Sequence, residues 1–255
     1  MGNRFLGLLT FFRHLHDLFE LFIRSNAYFL SRPFYFRDSL EQMHITGVRS
    51  LPIVLLISAF TGMVLALQSG HEMATYGAKM YVGSLITISL IRELGPVLVA
   101  MVVTGRVGAG IAAELGSMTV TEQIDAMRSL GTNPIRKLVT TRLLAISIML
   151  PILTIIGDAV GIMGGMLIGV TSLNISRDFY WSTVLSSISF DDMVIGMIKP
   201  FVFAAIISTI GCYMGLTASG GTKGVGEATT RSVVISMILI FIADFLITKF
   251  MIAIS

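Results

Sequence analysis

Two opposite charges, Arg92 and Glu93, lie inside a long apolar stretch of this 255-residue chain. Residues 81–90 before them and 94–105 after them carry no charge. A charge at the centre of a bilayer costs roughly 2.5–3.5 kcal/mol on insertion scales, and such side chains usually face a cavity, a partner or a permeating substrate. The pair is therefore the first candidate for binding or passing a charged group.

A helix breaker follows the two charges. Pro96 has no backbone N–H, and its ring crowds the carbonyl of residue i−4, which is Arg92. The predicted kink therefore coincides with the charges.

The elements that position these residues are predicted to be membrane spans. Hydrophobic residues make up 54% of the chain and charged residues only 13%, against about 25% in soluble domains. The apolar runs are long and continuous, which favours an all-α integral membrane protein over a β-barrel. Five spans are predicted at about 49–69, 81–113, 138–170, 193–216 and 232–254, within a transmembrane domain of 48–255.

The second predicted span is too long for a straight crossing. At 1.5 Å per residue it measures about 50 Å, against a hydrocarbon core of about 30 Å. It must tilt, kink or project from the membrane.

The distribution of Lys and Arg predicts the orientation of the spans. Twelve lie in the N-terminal region, the loop after span two with its flank, and the loop before span five, whereas the opposite loops hold only Lys79 and Arg177. The positive-inside rule then places the N-terminus in the cytoplasm and the C-terminus outside.

The region 1–47 is predicted to contain an amphipathic helix in the membrane interface. Apolar residues recur at spacings of three and four, and the charged residues fall on the opposite face. The apolar positions are Leu8, Phe11, Phe12, Leu15, Phe19 and Phe22, and the charged ones are Arg13, Asp17, Glu20 and Arg24.

The sequence does not favour an enzyme. It contains no G-x-x-x-x-G-K-[ST] phosphate loop and no G-x-S-x-G, and the run from His71 to Thr75 begins like H-E-x-x-H but ends in Thr. We expect no metal site, no cofactor in this chain and no nucleic-acid partner.

A short cytoplasmic helix is predicted at about 119–131, between spans two and three. Thr119 to Glu122 fits a capping box, Asp125 and Arg128 can pair at i, i+3, and Gly131 suits a C-cap. From the pattern alone this helix is either a solvated connector or a docking element for another subunit.

Span three carries a repeated G-x-x-x-G face. Such a face packs most often against a helix of the same chain and less often against a second copy. The four glycines are Gly157, Gly161, Gly165 and Gly169.

Ionisable residues also lie in or near the later spans, where a structural ion pair and a functional role are both open. Asp158 and Asp244 are expected to pair with Arg106 or Lys199.

Three segments and a tail element resemble the MlaE family in sequence and in order. They run from Ser89 to Val97, Gly105 to Gly116, Thr121 to Met127 and Glu227 to Val234, and the similarity spans roughly 45–255. The resemblance implies a permease subunit of an ABC transporter that moves phospholipids between the inner and outer membranes of Gram-negative bacteria and so maintains outer-membrane lipid asymmetry.

The resemblance also implies partners and site residues. The expected partners are a second copy of the chain, a cytoplasmic ABC ATPase that uses ATP, a periplasmic ring of MCE-domain proteins, often a STAS-domain protein, and phospholipids. The expected fold is an interfacial N-terminal helix, five transmembrane helices and a coupling helix in the bacterial inner membrane. Residues implied to bind or gate lipid are Gln68, Tyr76, Arg92, Glu93, Lys199 and Arg231. Residues implied to couple to the ATPase are Glu122, Gln123, Ile124, Asp125, Met127 and Arg128.

Two other functions are weighed beside this one. A stand-alone secondary transporter or channel would use Arg92, Glu93 and Asp158 as an ion relay. A non-transporting scaffold for MCE and ATPase subunits would tolerate alanine at Arg92 and Glu93.

Overall fold

A computed structural model describes residues 2–28 and 35–254, with side chains for 13–28 and 35–253. The described residues are nearly all helical and include no strand. The α-helices are α1 (Gly2–Ala27), α2 (Phe36–Met43), α3 (Leu51–Thr75), α4 (Val82–Ser89), α5 (Gly95–Val103), α6 (Ala109–Val120), α7 (Gln123–Ser129), α8 (Thr140–Thr171), α9 (Arg177–Ser187), α10 (Phe190–Leu216) and α11 (Gly221–Ile254).

Five helical segments of the described chain are long and apolar enough to cross a membrane, as predicted. Several extend beyond the predicted spans; the last begins at Gly221 rather than near residue 232. The start of that helix is polar, so hydropathy alone does not detect it as part of the helix. The segments are Phe36–Thr75, Lys79–Val120, Ile135–Thr171, Phe190–Leu216 and Gly221–Ala253.

The break predicted at Pro96 is a π-helical turn over Leu90–Leu94. The N–H of Gly95 donates to the carbonyl of Leu90, five residues back instead of four. The wider turn precedes a proline that has no N–H and would crowd the turn before it. π-Bulges of this kind occur frequently at functional sites, and this one carries both charges.

A helix not predicted from the sequence, α9, lies between the third and fourth spans and packs against α4. Ser176 caps it by accepting a hydrogen bond from the N–H of Phe179 at 3.3 Å. Tyr180 is buried and donates to the carbonyl of Ile162 at 3.3 Å. Burial raises the pKa of Tyr180 to about 12, so its phenol remains a donor at neutral pH.

The chain divides into two compact units, each built from three separate stretches. The first unit is Met1–Ile45, Thr104–Ser147 and Ala204–Leu239, and the second is Thr46–Val103, Ile148–Phe203 and Ile240–Ser255.

In the second unit, the glycine face of α8 packs within the chain, which confirms the favoured prediction. A Cβ at Gly161 would lie 2.9 Å from the Leu90 side chain, and one at Gly165 would lie 2.8 Å from the Tyr180 hydroxyl. From the facing helix, a Cβ at Gly62 would collide with the backbone carbonyl of Gly161. The small residues therefore let α3 and α8 approach closely.

In the first unit, Arg142 is almost fully buried and lies 2.8 Å from Glu114. Its Nη1 also donates to the carbonyl of Leu138 at 2.9 Å. Arg106 donates to the carbonyl of Ile45 at 3.2 Å, which ties the π-helical turn before α6 to the segment after α2. Arg106, proposed from sequence as a partner of the span aspartates, is thus engaged within its own unit.

In α1, Arg24 pairs with Glu20 at 2.5 Å, and Leu15 and Phe19 are exposed. Phe22 is half-buried, and the other predicted apolar positions, Leu8, Phe11 and Phe12, lie outside the described side chains.

Candidate functional site

A buried ammonium group is the centre of a polar cluster in the second unit. Lys199, on α10, has 0% of its side chain exposed. Its Nζ lies 2.5 Å from Glu93 Oε2, 2.8 Å from Asp244 Oδ1 and 2.9 Å from the hydroxyl of Thr248. One cation therefore joins the π-helical turn, α10 and α11.

The carboxylate of Glu93 has a second partner and an open side. The Thr248 hydroxyl lies 3.1 Å from Oε1 and 3.3 Å from Oε2. The Glu93 side chain remains 39% exposed, whereas the side chain of its partner Lys199 is fully buried. Glu93 can thus accept a further hydrogen bond without leaving the cluster.

The neighbouring Arg92 forms an ion pair of its own. Its Nε donates to Asp192 in the first turn of α10, and the Asp192 side chain is only 7% exposed. The Arg92 side chain is 45% exposed. A guanidinium held at one edge and exposed at the other can bind a phosphate or carboxylate through its two terminal nitrogens.

A carboxylate packs against the same turn without an ion pair to it. A Cβ at Gly95 would collide with Asp158 Oδ1, so the absence of a side chain at Gly95 makes room for Asp158. Asp158 Oδ1 is buried and has no hydrogen-bond partner among the described residues. Of the two aspartates expected to pair with a base, Asp244 does so through Lys199, whereas Asp158 Oδ1 has no such contact in the described part of the chain.

The structure brings together three of the six predicted lipid-site residues, namely Arg92, Glu93 and Lys199. Gln68 and Tyr76 lie on and just after α3 with exposed side chains, and Tyr76 is 82% exposed.

Arg231, the sixth predicted lipid-site residue, belongs to the first unit. It is 71% exposed, lies 3.7 Å from Glu227 and borders a cavity of about 130 Å³.

The predicted cytoplasmic helix is α7, and its ends differ from the prediction at one point. Thr119 still lies in α6, where its hydroxyl donates to the carbonyl of Leu115 at 2.8 Å, so the predicted capping box is wrong. The N-cap of α7 is Glu122, in the left-handed region at φ 60° and without a side-chain cap. A helical Thr bonds back to its own helix rather than forward to the next one.

The predicted ion pair and C-cap of α7 are confirmed. Arg128 and Asp125 pair at 3.0 Å. Gly131 has φ 74°, and the N–H groups of Gly131 and Thr132 donate at 3.0 Å to the carbonyls of Arg128 and Met127, which is a Schellman end.

The residues that α7 exposes differ from those predicted to couple to the ATPase. Ile124 is buried, so it anchors α7 to its own unit instead of presenting itself. Leu130, directly after α7, is 82% exposed and is the largest apolar group offered there. The exposed predicted residues are Glu122, Gln123, Asp125 and Arg128, and Met127 is half-buried.

Comparison with known proteins shows the family of this chain. The sequence profile described as Permease MlaE matches residues 39–250, which include the charged turn, α7 and most of α11. The chain belongs to the MlaE permease family. It is 44% identical to a probable ABC transporter permease protein of Rickettsia typhi over 217 residues, covering 85% of this chain and 84% of the relative.

Two further relatives have names that are more specific. The intermembrane phospholipid transport system permease protein MlaE of Haemophilus influenzae is 37% identical, over 83% of this chain and 82% of its own length. The chloroplastic protein TRIGALACTOSYLDIACYLGLYCEROL 1 of Arabidopsis thaliana is 41% identical, over 85% of this chain and 62% of its own length.

The polar cluster of this MlaE-family permease includes two residues that sequence reasoning missed. Asp192 resembles an ordinary acidic residue at a helix start, where Ser189 caps its N–H at 3.1 Å. Thr248 carries no signal in the sequence, because a hydroxyl in a span usually bonds its own helix. Only the packing of α10 and α11 on the charged turn identifies both as part of the cluster.

Proposed function

We propose that this chain is the membrane permease subunit of an ABC transporter that moves phospholipids between the inner and outer membranes and thereby maintains outer-membrane lipid asymmetry. The observation that carries the proposal is the half-exposed Arg92 and Glu93 on a π-helical turn inside an apolar membrane segment of an MlaE-family chain. An amphiphile with a charged head and apolar tails suits such a site, because the span supplies apolar surface on either side of two accessible charges.

Within this proposal the three clustered residues have different roles. Arg92 contacts the lipid phosphate, and Glu93 borders the same headgroup. Lys199 is buried and therefore positions Glu93 and Asp244 instead of binding lipid itself.

The proposed assembly places the chain in the bacterial inner membrane with its N-terminus in the cytoplasm and its C-terminus in the periplasm. Two copies form a homodimer, two cytoplasmic ATPases supply ATP hydrolysis, and a periplasmic ring of MCE-domain proteins receives or delivers lipid. A STAS-domain protein binds the ATPase. The amphipathic pattern of α1, with Leu15 and Phe19 exposed, supports an interfacial position for that helix.

The proposed coupling element is α7 with its neighbours. It follows in sequence directly on the helical segment that carries the charged turn, and it exposes Glu122, Gln123, Asp125 and Arg128 beside Leu130. An exposed leucine beside charged side chains is stabilised when an apolar pocket on a partner protein removes it from water. Leu130→Asp should abolish co-purification of the ATPase, whereas the conservative control Leu130→Met should preserve it. Retention of the ATPase by Leu130→Asp would contradict the docking role.

Complementation tests the lipid-handling function. In a Gram-negative host lacking its own copy of the gene, Arg92→Gln should lose both detergent resistance of the outer membrane and co-purified phospholipid at normal protein levels. Arg177→Gln, at an exposed arginine of the same unit, is the matched control and should retain both. If Arg92→Gln behaves as the wild type does, the site is misassigned.

A further inference from the structure

The two accessible charges of the site have opposite sign and occupy successive positions. The Arg92 side chain is 45% exposed and that of Glu93 is 39% exposed, whereas the groups behind them are buried or nearly so. Resting on the proposed function, we propose that the site selects zwitterionic phospholipids with a primary amine, such as phosphatidylethanolamine, over anionic ones. The phosphate binds Arg92 and the ammonium binds Glu93.

Arg92 has donors left for a phosphate. Only its Nε is used by Asp192, and its two terminal nitrogens have no hydrogen-bond partner in the part of the chain that the structure describes. Those nitrogens carry four N–H groups in a planar fork that matches phosphate geometry. Asp192 holds the guanidinium from behind, which fixes the fork before the lipid arrives.

Glu93 has acceptor capacity left for an ammonium. Among the residues that the structure describes, its Oε1 is within hydrogen-bond distance of Thr248 alone, and each carboxylate oxygen can accept two hydrogen bonds. Lys199 and Thr248 hold the carboxylate on the buried side. The exposed side is therefore oriented in advance for a donor from outside.

The charge balance of the cluster disfavours an anionic headgroup. Three carboxylates, Glu93, Asp192 and Asp244, face two cations, Arg92 and Lys199, which leaves a formal charge of −1. An anionic lipid brings this to −2, whereas a zwitterionic lipid leaves it unchanged. The flanking Asp191 and Lys249 offset one another and therefore leave the sign of this charge unchanged.

The ammonium of the lipid headgroup must be able to donate a hydrogen bond to Glu93. A trimethylated choline headgroup carries the same charge but has no N–H for the open side of Glu93. Hydrogen bonding therefore separates phosphatidylethanolamine from phosphatidylcholine, and charge balance separates both from phosphatidylglycerol. For partly exposed charge pairs the expected preference is about two- to fivefold.

Lipid competition on the unmodified protein tests the inference without a variant. The full-length chain, with its ATPase co-expressed, is placed in nanodiscs of equimolar phosphatidylethanolamine, phosphatidylcholine and phosphatidylglycerol with identical acyl chains. Native mass spectrometry then counts the lipids that remain bound. We expect phosphatidylethanolamine to exceed each of the others by about two- to fivefold. Equal retention, an excess of phosphatidylglycerol, or phosphatidylcholine equal to phosphatidylethanolamine would overturn the inference.

Two variants assign the preference to Glu93 and separate it from the proposed function. Glu93→Gln should bind lipid with the preference for the amine lost, and the control Glu72→Gln, an exposed carboxylate of the same unit, should keep it. A preference that survives in Glu93→Gln refutes the role of Glu93. If the wild type and Arg92→Gln both retain no lipid, or both retain the same amount, the proposed function fails together with the headgroup inference. If lipid retention depends on Arg92 but all three headgroups are retained equally, only the headgroup inference is refuted.

Discussion

Replacing Lys199 by methionine tests whether the buried ammonium holds the charged turn to α10 and α11. Methionine has a similar length and no charge, so the change removes the cation that Glu93 and Asp244 share at 2.5 and 2.8 Å. Breaking a buried ion pair by removing one partner typically costs about 3–5 kcal/mol, since the other charge stays buried and unpaired. Because Glu93 remains 39% exposed and Asp244 19% exposed, water can relieve part of this cost, and we expect the free energy of unfolding to fall by about 3 kcal/mol.

Thermal unfolding of the purified full chain in detergent measures this loss. For a chain of this size, about 1 kcal/mol corresponds to a Tm shift of roughly 2–4 °C, so Lys199→Met should lower Tm by about 6–12 °C. Lys249→Met is the matched control, because Lys249 is an exposed lysine one residue after Thr248, and its Tm should stay within about 2 °C of the wild type.

A double variant isolates the interaction itself. If Asp244 is costly in Lys199→Met because it lacks a counter-charge, then Asp244→Asn in that background should recover about 1–2 kcal/mol of the lost stability. The same change in the wild-type background should be destabilising. Strictly additive losses, or a Lys199→Met protein as stable as Lys249→Met, would refute the account of Lys199 as the cation that joins the three helical elements.

Three further predictions concern packing, backbone conformation and a buried ion pair, each measured by the Tm of the full chain. Gly95→Ala should unfold at a much lower temperature or fail to accumulate, because its Cβ would meet a buried carboxylate, whereas Gly110→Ala has open space and should be neutral or stabilising by about 0.5–1 kcal/mol; equal effects would contradict the close packing. Glu122→Gly should stabilise the chain by about 1 kcal/mol by relieving a left-handed backbone, and a clear loss of stability would show that the side chain matters more than φ. Glu114→Gln should cost about 3 kcal/mol by leaving the buried Arg142 without its carboxylate, and an unchanged Tm would mean that the carbonyl of Leu138 alone satisfies Arg142.

The number and type of the membrane helices could be predicted from sequence because hydropathy and length are properties of single segments. The same holds for the break before Pro96, which a missing N–H and a crowded ring impose locally. The helix α9 could not be predicted in this way, because its sequence mixes polar and apolar residues. It is stabilised instead by the burial of Tyr180 within its own unit.

The candidate site was only half predictable for the same reason. Arg92 and Glu93 stand out because charges are rare in an apolar run, but their partners are 100 to 155 residues away in sequence. Asp192 looks like a helix-start residue and Thr248 like any hydroxyl in a span. Sequence shows that a buried charge needs a partner; only the packing shows which one it has.

The geometry around Asp158 bears on the alternative of a stand-alone transporter with an ion relay. A relay needs hydrogen-bonded groups that follow one another, from Asp158 to Glu93 or Arg92. Asp158 Oδ1 instead packs against Gly95 with no hydrogen-bond partner in the described residues, while Glu93 is held by Lys199 and Thr248 and Arg92 by Asp192. The charges of the turn are therefore each committed to a fixed counter-charge behind them. That arrangement orients two accessible groups toward a bound headgroup, and it leaves the step from Asp158 to the turn without a hydrogen bond to carry it.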